Sequence, residues 1–120
     1  MKKLAGLVAS LLVSTFILVG GFVGVTIAQE KVEIKELFEN DKVRVYESRL
    51  KPGVEGPSVE RPFRVVRALT EGTIQRIYPD GKTETVQWKA GEVSARGPDK
   101  AYAVKNIGNS DFVVYVVQPK

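Results

Sequence analysis

Two residue types are missing from this sequence of 120 residues, and each absence removes a class of chemistry. There is no cysteine, so disulfide bridges, zinc–thiolate sites and thiol nucleophiles are excluded. There is no histidine, which is the commonest metal ligand and the commonest general base near neutral pH. We therefore predict a protein with no cofactor, no metal and no catalytic residues of the usual kinds.

The sequence also lacks a long block of like charge. Its net charge is +4, but Lys2 and Lys3 supply two of the basic residues, and the other charges alternate in sign along the chain. Nucleic-acid binding usually requires a basic stripe with aromatic residues between the charges, so we predict no nucleic-acid partner. With 43% hydrophobic and 27% charged residues, the composition is typical of a single globular domain.

The N-terminus is the one region with a long apolar run. Lys2 and Lys3 precede an uncharged stretch from Leu4 to Ala28, which is the pattern of a secretory signal peptide. Small residues in Thr26-Ile27-Ala28 predict cleavage before Gln29. The stretch is also long enough to span a bilayer, so an uncleaved membrane anchor is the alternative.

Three glycines, Gly20, Gly21 and Gly24, weaken the last part of this run as a helix and favour cleavage. By the positive-inside rule the charged start remains cytoplasmic in either case. We therefore predict a signal peptide or membrane anchor over residues 1–28, forming a leader helix. Residues 29–120 are predicted as a domain outside the cytoplasm, periplasmic or secreted, that meets the membrane only through the leader.

After Gln29, short stretches rich in β-branched and aromatic residues are separated by turn signals. This spacing predicts an all-β antiparallel sandwich or barrel. Pro79-Asp80-Gly81-Lys82 predicts a hairpin turn, and Val32–Asn40 has the spacing of a helical turn. An edge strand in so small a domain favours a homodimer. The predicted strands are Val43–Leu50, Phe63–Leu69, Thr73–Tyr78, Thr83–Trp88, Val93–Ala95, Ala101–Asn106 and Asp111–Gln118.

The order of the turn motifs resembles a small single-domain cupin. Pro57-Ser58-Val59-Glu60-Arg61-Pro62 is similar to the family's first motif, P-x-H-x-H-P in many members. Lys89-Ala90-Gly91-Glu92-Val93 resembles the start of the second motif, and the stretch from Ala103 to Gly108 resembles its close. The resemblance covers Val43 to Gln118. It implies a double-stranded β-helix, in which two antiparallel sheets form a jelly-roll cup.

In the family, two histidines, a glutamate and a third histidine hold a metal in the cup. The corresponding positions in this sequence are Val59, Arg61, Val65 and Tyr102. Valine offers no donor, arginine stays charged and repels a cation, and tyrosine is a poor ligand because its pKa is high. The resemblance therefore implies a cupin with degenerate metal motifs. We therefore expect dioxygenase, oxalate-degrading and sugar-isomerising metal chemistries to be absent. An oxygen-only metal site using Glu55, Glu60 or Asp99 is the remaining alternative.

Arg61, Arg67 and Tyr102 are the predicted ligand-binding residues. If the first motif keeps its inward direction, Arg61 points into the cup, and Arg67 joins it if Val65 also points inward. An arginine and a tyrosine in an apolar cup suit a small anion, because a guanidinium pairs with planar oxyanions.

The alternative is a one-residue shift at Pro62, which would put Arg61 on the rim, paired with Glu55 or Glu60. A separate alternative holds for Tyr102 and Trp88, which would only fill the core, because aromatic residues in a small barrel usually do so.

Two classes of function follow. The first is a non-catalytic extracytoplasmic binding or interaction module, with the cup either filled by side chains or holding a small anionic ligand. The second is a histidine-independent enzyme that acts on a sugar or a carboxylic acid in the cup. Because the sequence has no obvious base with a near-neutral pKa, it favours the first class.

Overall fold

Residues 31–120 are the part of the chain that the structure, a computed structural model, describes, and they contain nine β-strands and no helix. The predicted leader over residues 1–28 lies outside the described residues. Between residues 31 and 120, the structure has no helix long and apolar enough to span a membrane. The strands are β1 (Glu33–Glu39), β2 (Val43–Leu50), β3 (Val59–Arg61), β4 (Arg64–Ala68), β5 (Gly72–Ile77), β6 (Thr83–Trp88), β7 (Val93–Arg96), β8 (Asp99–Asn106) and β9 (Phe112–Pro119).

The strands form two antiparallel sheets. The five-stranded sheet has the order β1-β2-β9-β4-β7, and the four-stranded sheet has the order β3-β8-β5-β6. Consecutive strands often belong to different sheets, as in a jelly roll. The longest ladder joins β2 to β9, from Val43↔Pro119 to Leu50↔Phe112, so it ties the first part of the domain to its end. The predicted all-β, jelly-roll architecture is confirmed.

The core lies between the two sheets. Successive side chains of a strand point to opposite faces, so every second residue of the inner strands faces this core. Trp88 and Phe112 pack against each other with ring centroids 6.3 Å apart. The main cluster of buried apolar residues consists of Val66, Ala68, Ile74, Trp88, Phe112 and Val116.

Most of the predicted strands and turns are confirmed within one or two residues at each end. Thr83–Trp88 has the predicted bounds, and the hairpin before it closes with a 2.9 Å hydrogen bond from the Tyr78 amide to the Lys82 carbonyl. The helical turn predicted over Val32–Asn40 is wrong, because this segment pairs with β2 as strand β1. The short strand β3 was not predicted.

The inward-facing positions change from apolar to polar in the same direction along the barrel. On β4 the inward residues run from Ala68 through Val66 to Arg64, and on β5 they run from Ile74 to Arg76. The ladder between β5 and β6 places Glu84 opposite Arg76. One end of the barrel is therefore apolar, and the other end contains a cluster of charged residues.

Candidate functional site

Four arginines and one tyrosine form the polar end of the barrel, and we call them the arginine–tyrosine cluster (Arg61, Arg64, Arg76, Arg96 and Tyr102). Arg64, Arg76 and Tyr102 are buried, with 6%, 5% and 3% of their surface exposed. Arg96 is the ladder partner of Arg64, so both point to the same side of the five-stranded sheet. Buried arginines are rare unless they are paired, so their partners determine what this cluster can do.

Tyr102, on β8, is the residue around which the cluster is arranged. The Cζ atom of Arg61 lies 4.0 Å from the centroid of the Tyr102 ring, and that of Arg76 lies 5.6 Å from it. Arg64 Nη2 donates a 2.9 Å hydrogen bond to the Tyr102 hydroxyl. Cation–π contacts stabilise a guanidinium that has lost part of its hydration. The tyrosine therefore lets three arginines approach one another inside the barrel.

Asp99 is the acidic partner on one side of the cluster. Its Oδ2 atom accepts a 2.9 Å hydrogen bond from Arg64 Nη1 and lies 4.0 Å from Arg96 Nε. Arg96 Nε is buried and has no hydrogen-bond partner among the residues that the structure describes. One carboxylate is thus shared by two arginines, and one buried donor is left unused.

Arg76 has its acidic partner on the neighbouring strand. Its Nη1 atom donates to Glu84 Oε1 at 3.0 Å, and the Tyr78 hydroxyl donates to the same oxygen, also at 3.0 Å. These two hydrogen bonds, that of Arg76 first, lower the pKa of the Glu84 carboxyl. The Glu84 side chain is 52% exposed, so this side of the cluster borders the solvent.

Arg61 is the member of the cluster without a carboxylate partner between residues 31 and 120. Its Nη1 atom donates to the backbone carbonyls of Val59, at 2.9 Å, and of Tyr102. Burial lowers the pKa of the Arg61 guanidinium. Tyr102 acts in the opposite direction, and the nearby charge of Arg64 lowers the pKa further. A bound anion would stabilise the charged form of this side chain.

The structure brings together two of the three predicted site residues. Arg61 and Tyr102 are in contact, and the alternative in which Arg61 pairs with Glu55 or Glu60 is not seen within residues 31–120. Arg67 is exposed and alternates with the buried Val66 and Ala68, so it lies on the outer face of β4. Val65 shares this outer face, and the condition for an inward Arg67 is therefore not met. Ligand binding by Arg61 and Tyr102 stays a prediction.

Three of the four positions that correspond to the family's metal ligands lie together, and the fourth faces away from them. Val59 is the ladder partner of Tyr102, and Arg61 lies over the Tyr102 ring, but Val65 points to the outside. Within residues 31–120, no three acidic side chains are grouped so that they could hold a metal ion. The metal-free state of the cup stays a prediction.

Arg64, Arg76 and Arg96 were missed at the level of sequence. A charged residue in a strand usually faces the solvent, so an arginine at these three positions did not by itself indicate an inward-facing side chain. The alternation of side-chain directions along β4 could have indicated it for Arg64, because Arg64 must face the core if Val66 and Ala68 do. Trp88, in contrast, fills the core, as the core-filling alternative predicted.

No family model and no curated protein matches this sequence. Several solved structures are similar in fold. A cupin domain from Bordetella pertussis Tohama I superimposes with a TM-score of 0.70 at 25% identity, over 77% of this chain and 96% of that chain. The cupin domain of an XRE-family transcriptional regulator from Enterobacter cloacae gives a TM-score of 0.55 at 20% identity, over 72% and 93% of the two chains.

An enzyme is also among these neighbours. The polyketide cyclase RemF from Streptomyces resistomycificus superimposes with a TM-score of 0.57 at 19% identity, over 73% of this chain and 64% of that chain. Residues 31–120 therefore have the small cupin fold, a double-stranded β-helix. This fold is used by a regulator and by a cyclase alike, so function must be argued from the site.

Proposed function

We propose that this protein is an exported, non-catalytic cupin-fold module that binds a small anionic ligand in its cup, next to Arg61 and Tyr102. The observation that carries the proposal is the position of Arg61. It is a half-buried guanidinium that contacts Tyr102 and has no carboxylate partner within the described part of the chain. A partly desolvated charge without a counterion is costly, and an anion from solution offsets that cost.

Access from solvent supports the same proposal. Glu84, Arg96 and Asp99 all retain exposed surface, whereas Arg64, Arg76 and Tyr102 are buried behind them. A small anion can therefore approach the cluster from the polar end of the barrel. The apolar end is filled by side chains, which leaves the polar end as the place for a ligand.

A binding role is favoured over catalysis by the state of the polar groups. The two carboxylates in the site, Asp99 and Glu84, each accept hydrogen bonds from arginine. The lowered pKa of Glu84 makes it a weaker base still. The site thus offers charge and hydrogen-bond donors, which suit recognition of an oxyanion.

The test is isothermal titration calorimetry of the full chain in non-ionic detergent with succinate and with methyl phosphate. Binding of at least one of them is expected. Arg61→Met keeps the packing over Tyr102 but removes the charge, so it should weaken binding about tenfold or more, as expected for loss of a charge-assisted hydrogen bond.

Arg67→Met is the matched control, because it removes the same charge from the outer face of β4. It should leave the affinity within about twofold, since an exposed charge contributes little at a distance. If neither anion binds to the wild-type protein at millimolar concentration, the proposal is wrong. Equal losses in the two variants would also contradict it.

A further inference from the structure

The arginine–tyrosine cluster contains more positive than negative charge. Its four arginines have two carboxylate partners among residues 31–120, Asp99 and Glu84. The cluster therefore has two more positive than negative charges, although only Arg61 lacks a carboxylate partner among these residues. Like charges in a partly desolvated site repel each other strongly. An anion with one negative charge would offset half of this surplus, and an anion with two would offset all of it.

The unused hydrogen-bond donors belong to two different arginines. Arg96 Nε is buried and unpartnered within the described residues. On Arg61, Nη1 is occupied by two backbone carbonyls, and neither Nε nor Nη2 has a partner in residues 31–120. Arg64, in contrast, uses both of its terminal nitrogens, on Asp99 and on Tyr102. Arg61 thus offers free donors directly, and Arg96, whose side chain is 29% exposed, contains a buried donor that no described residue satisfies.

Asp99 indicates that an anion is accommodated at this place. One of its oxygens lies near both Arg64 and Arg96, and its backbone is the ladder partner of Arg61. A carboxylate from the chain thus already occupies one position among the arginines. We propose that the ligand is a doubly charged oxyanion, a dicarboxylate or a phosphate monoester, that contacts Arg61 and Arg96 together. This inference rests on the proposed function and names the class of its ligand.

The experiment compares pairs of related anions that differ by one negative charge. Affinities for the full chain are measured by calorimetry at pH 8 and constant ionic strength. The pairs are succinate with succinamate, and methyl phosphate with dimethyl phosphate. The doubly charged member of at least one pair should bind about tenfold more tightly, as expected for one additional charge-assisted contact. The pair that shows this preference identifies the ligand as a dicarboxylate or as a phosphate monoester.

Two variants assign the preference to the cluster. Arg96→Gln should reduce the affinity for the doubly charged anion to about that for the singly charged one, whereas Arg67→Gln should leave the preference unchanged. Asp99→Asn removes a competing negative charge and should strengthen binding of the doubly charged anion. Asp111→Asn, in the exposed pair with Arg49, is its control and should not strengthen it.

The outcomes separate this inference from the proposed function. If the singly and doubly charged anions bind equally well, the inference is wrong, while the proposed function stands. A preference that survives in Arg96→Gln overturns the part assigned to Arg96. If no anion of either pair binds, both the inference and the proposed function fail.

Discussion

Gly97 lies between β7 and β8, where the chain passes close to the Arg64 side chain. Its φ angle is +95°, a backbone conformation that residues with a side chain rarely adopt. A Cβ atom at this position would lie 2.7 Å from the Pro62 carbonyl oxygen and 2.9 Å from Arg64 Nη1. The absence of a side chain at Gly97 therefore allows Arg64 to reach both Asp99 and Tyr102.

We expect Gly97→Ala to lower the free energy of unfolding by more than Gly81→Ala. Gly81 is the matched control, because its φ angle is +91° but a Cβ there would meet nothing within 4 Å. The strained backbone should cost about 1–2 kcal/mol in both variants. The contact with Pro62 and Arg64 should add about 1–3 kcal/mol in Gly97→Ala alone. Urea unfolding measures both values, and equal losses would show that the close contact relaxes without cost.

At the scale of single residues, the sequence predicted that Arg61 and Tyr102 share the cup, with a rim position for Arg61 as the alternative, but it did not predict the rest of the cluster. The reason is the break at Pro62 and Phe63, which separates β3 from β4. Alternation cannot be carried across such a break, so Arg61 and Arg64 both reach the interior although they are three residues apart. The same break placed Arg67 on the outer face.

At the scale of elements, the hairpin of β5 and β6 joins the cluster to the solvent. Arg76 and Glu84 are ladder partners in this hairpin, and Arg76 is buried whereas Glu84 is exposed. The hydrogen bonds from Arg76 and Tyr78 lower the pKa of Glu84 below its ordinary value of 4.5. A carboxyl group with a lowered pKa stabilises the folded state above its ordinary pKa. That stabilisation is lost as the pH falls through the lowered value.

Glu84→Gln should therefore be less stable than the wild type at pH 7, because the buried Arg76 loses its charged partner. The difference should persist down to about pH 5. It should shrink as the pH falls below 4.5, since wild-type Glu84 then becomes protonated and is neutral like the glutamine of the variant. Chemical unfolding at a series of pH values measures it. Glu71→Gln, an exposed change in the turn before β5, is the control and should run parallel to the wild type. A difference between Glu84→Gln and wild type that does not vary with pH would contradict the role of this ion pair.

The strands show which elements can be predicted from the sequence. The hairpin of β5 and β6 was predicted well, because Pro79-Asp80-Gly81-Lys82 fixes the turn locally and the strands follow from it. Strand β1 was mistaken for a helical turn, because its pairing with β2 is a tertiary interaction that local spacing does not contain. All seven of its residues are exposed, and the homodimer expected from an edge strand stays a prediction.

At the scale of the whole molecule, the turn motifs predicted the cupin fold because their order and spacing extend over the entire domain. The charge of the cluster could not be predicted in this way, since it depends on which residues of two sheets face each other. Without Lys2 and Lys3, 16 basic and 14 acidic residues remain. The surplus in the cup is therefore a local feature and not part of a generally basic surface.

The cellular location of the domain is a further prediction that belongs to the whole molecule. When the chain is produced in a bacterial host, we expect export and cleavage before Gln29, because a charged start, an apolar run and small residues before the cleavage site are what the export machinery recognises. The product should be residues 29–120 in the periplasmic or secreted fraction, identified by intact mass. A membrane-bound chain of 13.2 kDa with its domain open to external protease would indicate the uncleaved anchor instead.

Ala28→Phe places a large residue directly before the expected cleavage site and should block cleavage without blocking export. Ala9→Phe, the same change inside the apolar run, is the control and should still be cleaved. If the intact wild-type chain is recovered from the soluble cytoplasmic fraction, export is excluded. The proposed anion site would then face cytoplasmic ligands, and the binding experiments on Arg61 and Arg96 would still test it.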